Sequence, residues 1–132
     1  LPEIGEEAFL ADLEMLILAG GMDNTIELTC SAQAKRVIAG AADKGCKVAA
    51  ICAAPVVLAG MGLLNGRKAV CYPGMEGSMG TADVQVGSKV VVDGSFITGQ
   101  GPGAAFDFAL KLVEILKGQA VMEQVKEEIH YQ

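Results

Sequence analysis

The sequence has no tryptophan, one histidine and only 5% aromatic residues. A single histidine rules out a His-rich metal centre. It also leaves a Cys-His-Asp hydrolase triad only one base to use, His130, in a charged stretch close to the C-terminus. We read His130 as a solvated surface residue. Cations are scarce as well: 10 Lys and Arg stand against 16 Asp and Glu, for a net charge of -6. That balance argues against nucleic acid or an anionic membrane surface as partner. There is no run of about 20 apolar residues to cross a bilayer, and the opening residues carry no secretory signal pattern. No Cys-x-x-Cys pair and no Cys/His cluster has zinc-ligand spacing, so no metal is expected. The four cysteines, Cys30, Cys46, Cys52 and Cys71, are spread too thinly for a disulfide scaffold. Reduced thiols in a cytoplasm are the expectation.

What is present is apolar and small. Of the 132 residues, 52% are hydrophobic and 17 are glycine, which predicts one compact α/β domain with many tight turns. Leu1 to Asp12 reads as acidic and irregular, with a short turn of helix. Leu13 to Ala19 is almost wholly apolar, as expected of a strand covered on both faces in a parallel sheet. Gly20-Gly21 ends it, and Met22 to Thr29 reads as a loop. Ser31 to Lys44 reads as a helix, capped by Thr29 or Ser31 and stopped by Gly45.

Val48 to Ile51 predicts the second strand and Ala53 to Met61 a short helix, with Pro55 tolerated in its first turn. Lys68 to Tyr72 predicts a third strand, followed by a glycine- and methionine-containing loop from Gly74 to Ala82. The methionines read as packing. A hairpin about Asp93-Gly94 follows. Gly99 to Gly103 lacks the Lys-Ser/Thr ending of a phosphate loop, and reads as a tight connection with Pro102 at a helix start. The helix Ala104 to Lys117 puts Phe106, Ala109, Leu110, Val113 and Leu116 near one face. A more charged helix, Gln119 to Ile129, closes the chain. This order predicts a three-layer α/β/α sandwich with a mainly parallel sheet.

The chemistry concentrates at Lys47-Val48-Ala49-Ala50-Ile51-Cys52-Ala53-Ala54-Pro55. A buried strand runs into a lone cysteine, then small residues, then a helix start. Such a turn lifts one side chain above the sheet and sets it at the positive end of a helix, where a thiol is expected to ionise more easily. We therefore expect Cys52 to be a reactive thiolate. In doubly wound sheets, sites form beyond the carboxyl ends of the strands. Gly20-Gly21, Cys52 and Tyr72-Pro73 all fall at predicted strand ends. Backbone N–H groups at Gly21 and Ala53 are candidates for an oxyanion hole beside Cys52. If Tyr72 faces this pocket, strand alternation points Cys71 away from it.

The stretches LEMLILAGGMDN, AAICAAPVVLAGMGLLNGRKAVCYPG and DGSFITGQGPGAAFDFALKLVEILKG resemble the ThiJ/PfpI superfamily in its DJ-one branch, bacterial type. The likeness covers nearly the whole chain. It implies a flavodoxin-like sandwich of the class I glutamine amidotransferase kind, usually a homodimer. It puts Cys52 in the place of an oxidisable active-site cysteine, and Gly21 and Ala53 at positions whose amides face the sulfur. Gly20, Tyr72, Pro73, Gly101 and Pro102 complete the expected pocket. Ala53 stands where the peptidase branch has a histidine, which argues against peptidase or amidotransferase work. The family's opening strand and helix, with a glutamate beside the cysteine, have no counterpart here. By resemblance the chain starts after that unit, so an N-terminal portion is expected either to be missing from this chain or to be supplied by another one.

Three functions follow from the likeness. The first is a cofactor-free, thiolate-dependent glyoxalase or deglycase acting on small aldehydes, dicarbonyls or their protein adducts. The second is a redox sensor or redox-regulated chaperone that uses an oxidisable Cys52. The third, ranked below these, is a thiazole- or isonitrile-linked metabolic enzyme.

Overall fold

The computed structural model describes residues 13–131; the expected irregular segment from Leu1 to Asp12 lies outside the described residues. The chain runs β1 (Met15–Leu18), α1 (Met22–Cys30), α2 (Ala32–Asp43), β2 (Lys47–Ile51), α3 (Pro55–Gly60), β3 (Lys68–Ala69), β4 (Asp83–Val84), β5 (Val90–Asp93), β6 (Phe96–Gly99), α4 (Ala105–Lys117) and α5 (Gln119–Glu128). Single 3-10 turns at Glu76–Ser78 and Pro102–Ala104 complete it.

The main sheet has the order β1-β2-β6-β5. β1, β2 and β6 are parallel, and β5 joins β6 as an antiparallel hairpin. The apolar run of β2 has a direct cause. Val48 and Ala50 point into a cluster with Ile38, Leu58, Leu64 and Met79. Ala49 points the other way, against Ile97, Phe108 and Leu112. A strand clothed by helices on both faces has no solvent side on which to place polar residues. These two clusters are the two interfaces of a three-layer α/β/α sandwich, as the sequence predicts.

Four local expectations are corrected. Met22 to Thr29 is helix rather than loop. The stretch is polar, but Thr25 is buried and Leu28 packs on the core, so tertiary contact overrides weak local preference. The third strand shrinks to Lys68–Ala69, and it pairs with Asp83–Val84 in a separate two-stranded ladder instead of joining the main sheet. The hairpin loop is Gly94-Ser95, one residue later than the expected Asp-Gly centre, because Asp93 pairs with Phe96. The face of α4 is turned as well. Phe108, Leu110 and Leu112 are buried, whereas Phe106 is 64% exposed. The 3-10 turn before α4 sets its rotation, and Phe108 falls over Gly99.

β1 also departs from expectation. Leu18 is buried, but Ile17 is 53% exposed, and among the described residues β1 forms one edge of the sheet. No helix among the described residues is long and apolar enough to cross a membrane.

Gly99 is where β6 and α4 approach most closely. A Cβ built there would lie 2.7 Å from Phe108 Cδ1 and 3.0 Å from Ile51 Cγ1. Gly99→Ala is expected to cost about 1–3 kcal/mol through overpacking. Urea unfolding measures this. An unchanged midpoint would mean that α4 slides freely on the sheet.

Candidate active site

The site starts from a strained backbone. Cys52 has φ 63, a left-handed conformation that costs a non-glycine residue about 1–2 kcal/mol. Three backbone hydrogen bonds hold it. The Cys52 N–H donates to Gly99 O (3.1 Å), the Tyr72 N–H donates to Cys52 O (2.8 Å), and the Ala54 N–H donates to Ile51 O (3.1 Å). The first continues the β2–β6 ladder by one residue. The other two turn the chain sharply, so the thiol stands above the carboxyl end of the sheet.

Close approach requires glycine at position 20 and brings Gly101 up on the other side. A Cβ at Gly20 would lie 2.7 Å from Cys52 Cβ and 3.0 Å from its Sγ. A Cβ at Gly101 would lie 3.3 Å from the Tyr72 ring and 3.9 Å from the Cys52 Sγ. The loops after β1 and β6 therefore close around the sulfur from either side. In front of it opens a cavity of about 270 Å³, lined by Gly21, Met22, Cys52, Ala53, Tyr72, Met75 and Pro102. Gly21, at φ 97, starts α1 in a conformation that side chains avoid. Among the described residues, neither the Gly21 nor the Ala53 amide makes a backbone hydrogen bond.

A family model described as the DJ-1/PfpI family matches residues 4–115, which include this whole constellation. The chain belongs to the DJ-1/PfpI family. Its similarity to Protein DJ-1alpha of Drosophila melanogaster is 37% identity over 115 residues, 86% of this chain and 53% of that protein. It is 31% identical over 113 residues to a deglycase of Pyrococcus abyssi, covering 85% of this chain and 68% of that one. The crystal structure of Drosophila melanogaster DJ-1beta superposes with a TM-score of 0.90 at 30% identity, over 100% of this chain and 72% of that chain. The flavodoxin-like sandwich is therefore shown. The chain spans about half the length of the Drosophila DJ-1alpha that it matches.

Within this DJ-1/PfpI fold, Gly21, Cys52, Ala53, Tyr72 and Pro102 line one cavity, with Gly20 and Gly101 packed against the sulfur. Pro73 is exposed and does not line it. Tyr72 arrives as expected but by another route: its N–H is tied to the Cys52 carbonyl, rather than ending a strand of the main sheet. Cys71 does point away and is buried in the core. The sequence reading missed Met22 and Met75 as lining residues. Met22 directly follows the Gly20-Gly21 pair, and that adjacency was the available signal. His130 is exposed at the end of α5 and does not line the cavity.

The expected easy ionisation of Cys52 is not what its described surroundings provide. Burial pushes the thiol up from its ordinary value, with no charged side chain opposing the shift. α3 is only six residues long and begins three positions beyond the sulfur, so its field is weak there. The cavity wall is apolar, which penalises the thiolate. Cys71 is raised further, to about 11, by burial and by the negative charge of Glu76.

The pH dependence has a definite sign. A raised thiol is protonated below its shifted pKa, so alkylation should climb as pH rises through and beyond the ordinary thiol range. We expect iodoacetamide at pH 8 to label Cys52 well before Cys71, and the Cys52 rate to keep rising above pH 9. Peptide mapping by mass spectrometry checks both. A plateau for Cys52 below pH 7 would show that a group outside the described residues stabilises the thiolate.

A larger open groove of about 420 Å³ lies between β5, α4 and α5. Four of its five charged side chains pair, Lys89 with Asp107 at 3.4 Å and Lys111 with Glu114 at 3.0 Å, and the fifth, Lys126, lies over the Tyr131 ring. The Tyr131 hydroxyl donates to Asp107 and fastens the end of α5. We assign it no chemistry.

Proposed function

We propose that this protein is a cysteine-dependent glyoxalase or deglycase that takes small dicarbonyls, such as methylglyoxal, or their adducts on proteins. The observation that carries this reading is the strained Cys52 elbow opening into a small apolar cavity lined by Gly21 and Ala53, whose amides make no backbone hydrogen bond among the described residues. Kinship with a protein named as a deglycase supports it.

Cys52 releases its thiol proton to solvent, and the thiolate Sγ then adds to the aldehyde carbon of methylglyoxal, forming a C–S bond. The carbonyl oxygen becomes an oxyanion that the Gly21 and Ala53 amides are placed to hold. A base then moves the proton from the former aldehyde carbon to its neighbour, through an enediolate, to leave a lactoyl thioester. Water cleaves that thioester to lactate and the free thiol. No carboxylate lines the cavity among the described residues. The resemblance assigns the proton transfer to a glutamate in a preceding strand–helix unit. Among the described residues β1 is an edge strand, and an apolar hollow walled by Leu16, Ile17, Leu28 and Ile38 lies between it and the helices α1 and α2.

We further propose a homodimer in a cytoplasm. The exposed apolar side chains of Met22, Ile26 and Phe106 support the first, and four free thiols support the second.

The assay is methylglyoxal consumption with lactate appearance, run on the chain as it is and again with the opening unit supplied. No lactate above the Cys52→Ser background in either arm refutes the enzyme. The second reading is redox sensing, with Cys52 oxidised to a sulfinate held by the same amides. It predicts that mild peroxide modifies Cys52 before Cys30, Cys46 and Cys71.

A further inference from the structure

Thr98 lies in β6 and is 1% exposed. Its hydroxyl oxygen accepts the Val70 N–H at 3.0 Å, in a buried contact that spans 28 residues of sequence. Two residues later the Tyr72 N–H donates to Cys52 O at 2.8 Å. The segment Val70-Cys71-Tyr72 is thus hung across the carboxyl end of the sheet from two fixed points, one on β6 and one on the residue that follows β2. Among the described residues no strand pairing holds it, since β3 stops at Ala69 and pairs only with β4; the Met75 N–H donates to Tyr72 O (3.1 Å) within the following loop. Cys71 between the two points is buried in the core, which fixes the direction of the segment. Tyr72 is 48% exposed, yet its ring lies against Gly101 and walls the cavity.

We propose that Thr98 is a positioning residue for the Cys52 cavity. By accepting the Val70 N–H, it sets how closely the Tyr72 wall stands over the sulfur. It touches neither the cavity nor the thiol, and acts through the Val70–Tyr72 segment. The alternative is that Thr98 satisfies a buried N–H and contributes only stability.

The test uses the full chain and two thiol reagents, iodoacetamide and N-phenylmaleimide, each titrated over pH. Thr98→Val keeps the shape and removes the acceptor, so a loosened wall should hydrate the sulfur. The midpoint of Cys52 alkylation should move down towards that of an ordinary thiol. The preference between the small and the aromatic reagent should change by roughly threefold or more. Thr98→Ser keeps the acceptor and should restore both. Tyr72→Ala should reproduce the Thr98→Val pattern, and the double variant should add little to either single one. If Thr98→Val lowers the melting temperature but leaves midpoint and reagent preference unchanged, or if the two substitutions simply add, the proposal is overturned. If Thr98→Val does not fold, amide exchange on the native chain decides it. Val70 and Tyr72 should open together with similar protection, and Tyr72 exchanging far faster than Val70 would refute the linkage.

Discussion

Cys52→Ser is expected to reduce lactate formation from methylglyoxal by roughly 10³-fold or more, with little effect on stability. Serine has nearly the same shape, so the elbow, the cavity and the two flanking glycines are preserved. A serine hydroxyl is a far weaker nucleophile, and no described group stands ready to deprotonate it. The left-handed backbone permits a sharper control. Cys52→Gly removes the thiol and also relieves the positive φ, so it should raise stability by roughly 1 kcal/mol while abolishing turnover. Paired urea and activity measurements separate the two effects. A Cys52→Gly protein that is both inactive and less stable would mean that the elbow is unstrained and that the thiol contributes packing instead. Full turnover by Cys52→Ser would remove the nucleophile from the mechanism altogether.

How much of this was legible in the sequence depended on how local the cause was. The elbow was readable because strand, cysteine, small residues and Pro55 follow one another without a gap. Gly20-Gly21 was readable for the same reason, as the end of an apolar run. The hairpin was found but placed one residue early, since Asp-Gly specifies a turn while the pairing of Asp93 with Phe96 specifies its register.

The α1 helix was not readable, because Met22–Cys30 lacks a strong apolar stripe and folds through the contacts of Thr25 and Leu28. Tyr72 is the most instructive case. It was assigned to the site through a strand end that does not exist. It reaches the site through two backbone donors of one segment, the Val70 N–H to Thr98 Oγ1 and its own N–H to Cys52 O, that no periodicity encodes. The direction of the Cys52 pKa was misjudged because a helix-end argument is one-dimensional, whereas the apolar wall of Met22, Tyr72 and Met75 is assembled from two stretches distant from Cys52 in the chain.

Gly20→Ala provides the second large effect, in which the fold and the chemistry fail together. The new methyl would sit 2.7 Å from Cys52 Cβ and 3.0 Å from Sγ, with Ile51 O at 3.2 Å. Rotating the thiol moves Sγ but leaves the Cβ clash, because Cys52 Cβ is anchored directly to the backbone. That backbone is in turn bonded to Gly99 and Tyr72. Relief must come from pushing the β1 end and the elbow apart, and overpacking of this kind costs about 1–3 kcal/mol. The same displacement carries the Gly21 amide away from the sulfur, because Gly21 is the next residue and the start of α1. A shift of about 1 Å between nucleophile and oxyanion donor is worth roughly 10²-fold in rate. Gly20→Ala should therefore lose both stability and turnover, while its alkylation by iodoacetamide, which needs no oxyanion hole, falls much less. Urea titration, the lactate assay and alkylation kinetics measure the three quantities separately. If turnover and alkylation fall in parallel, the methyl is blocking access to the thiol and the oxyanion role of Gly21 loses its support; if neither falls, the β1 end yields without moving the elbow.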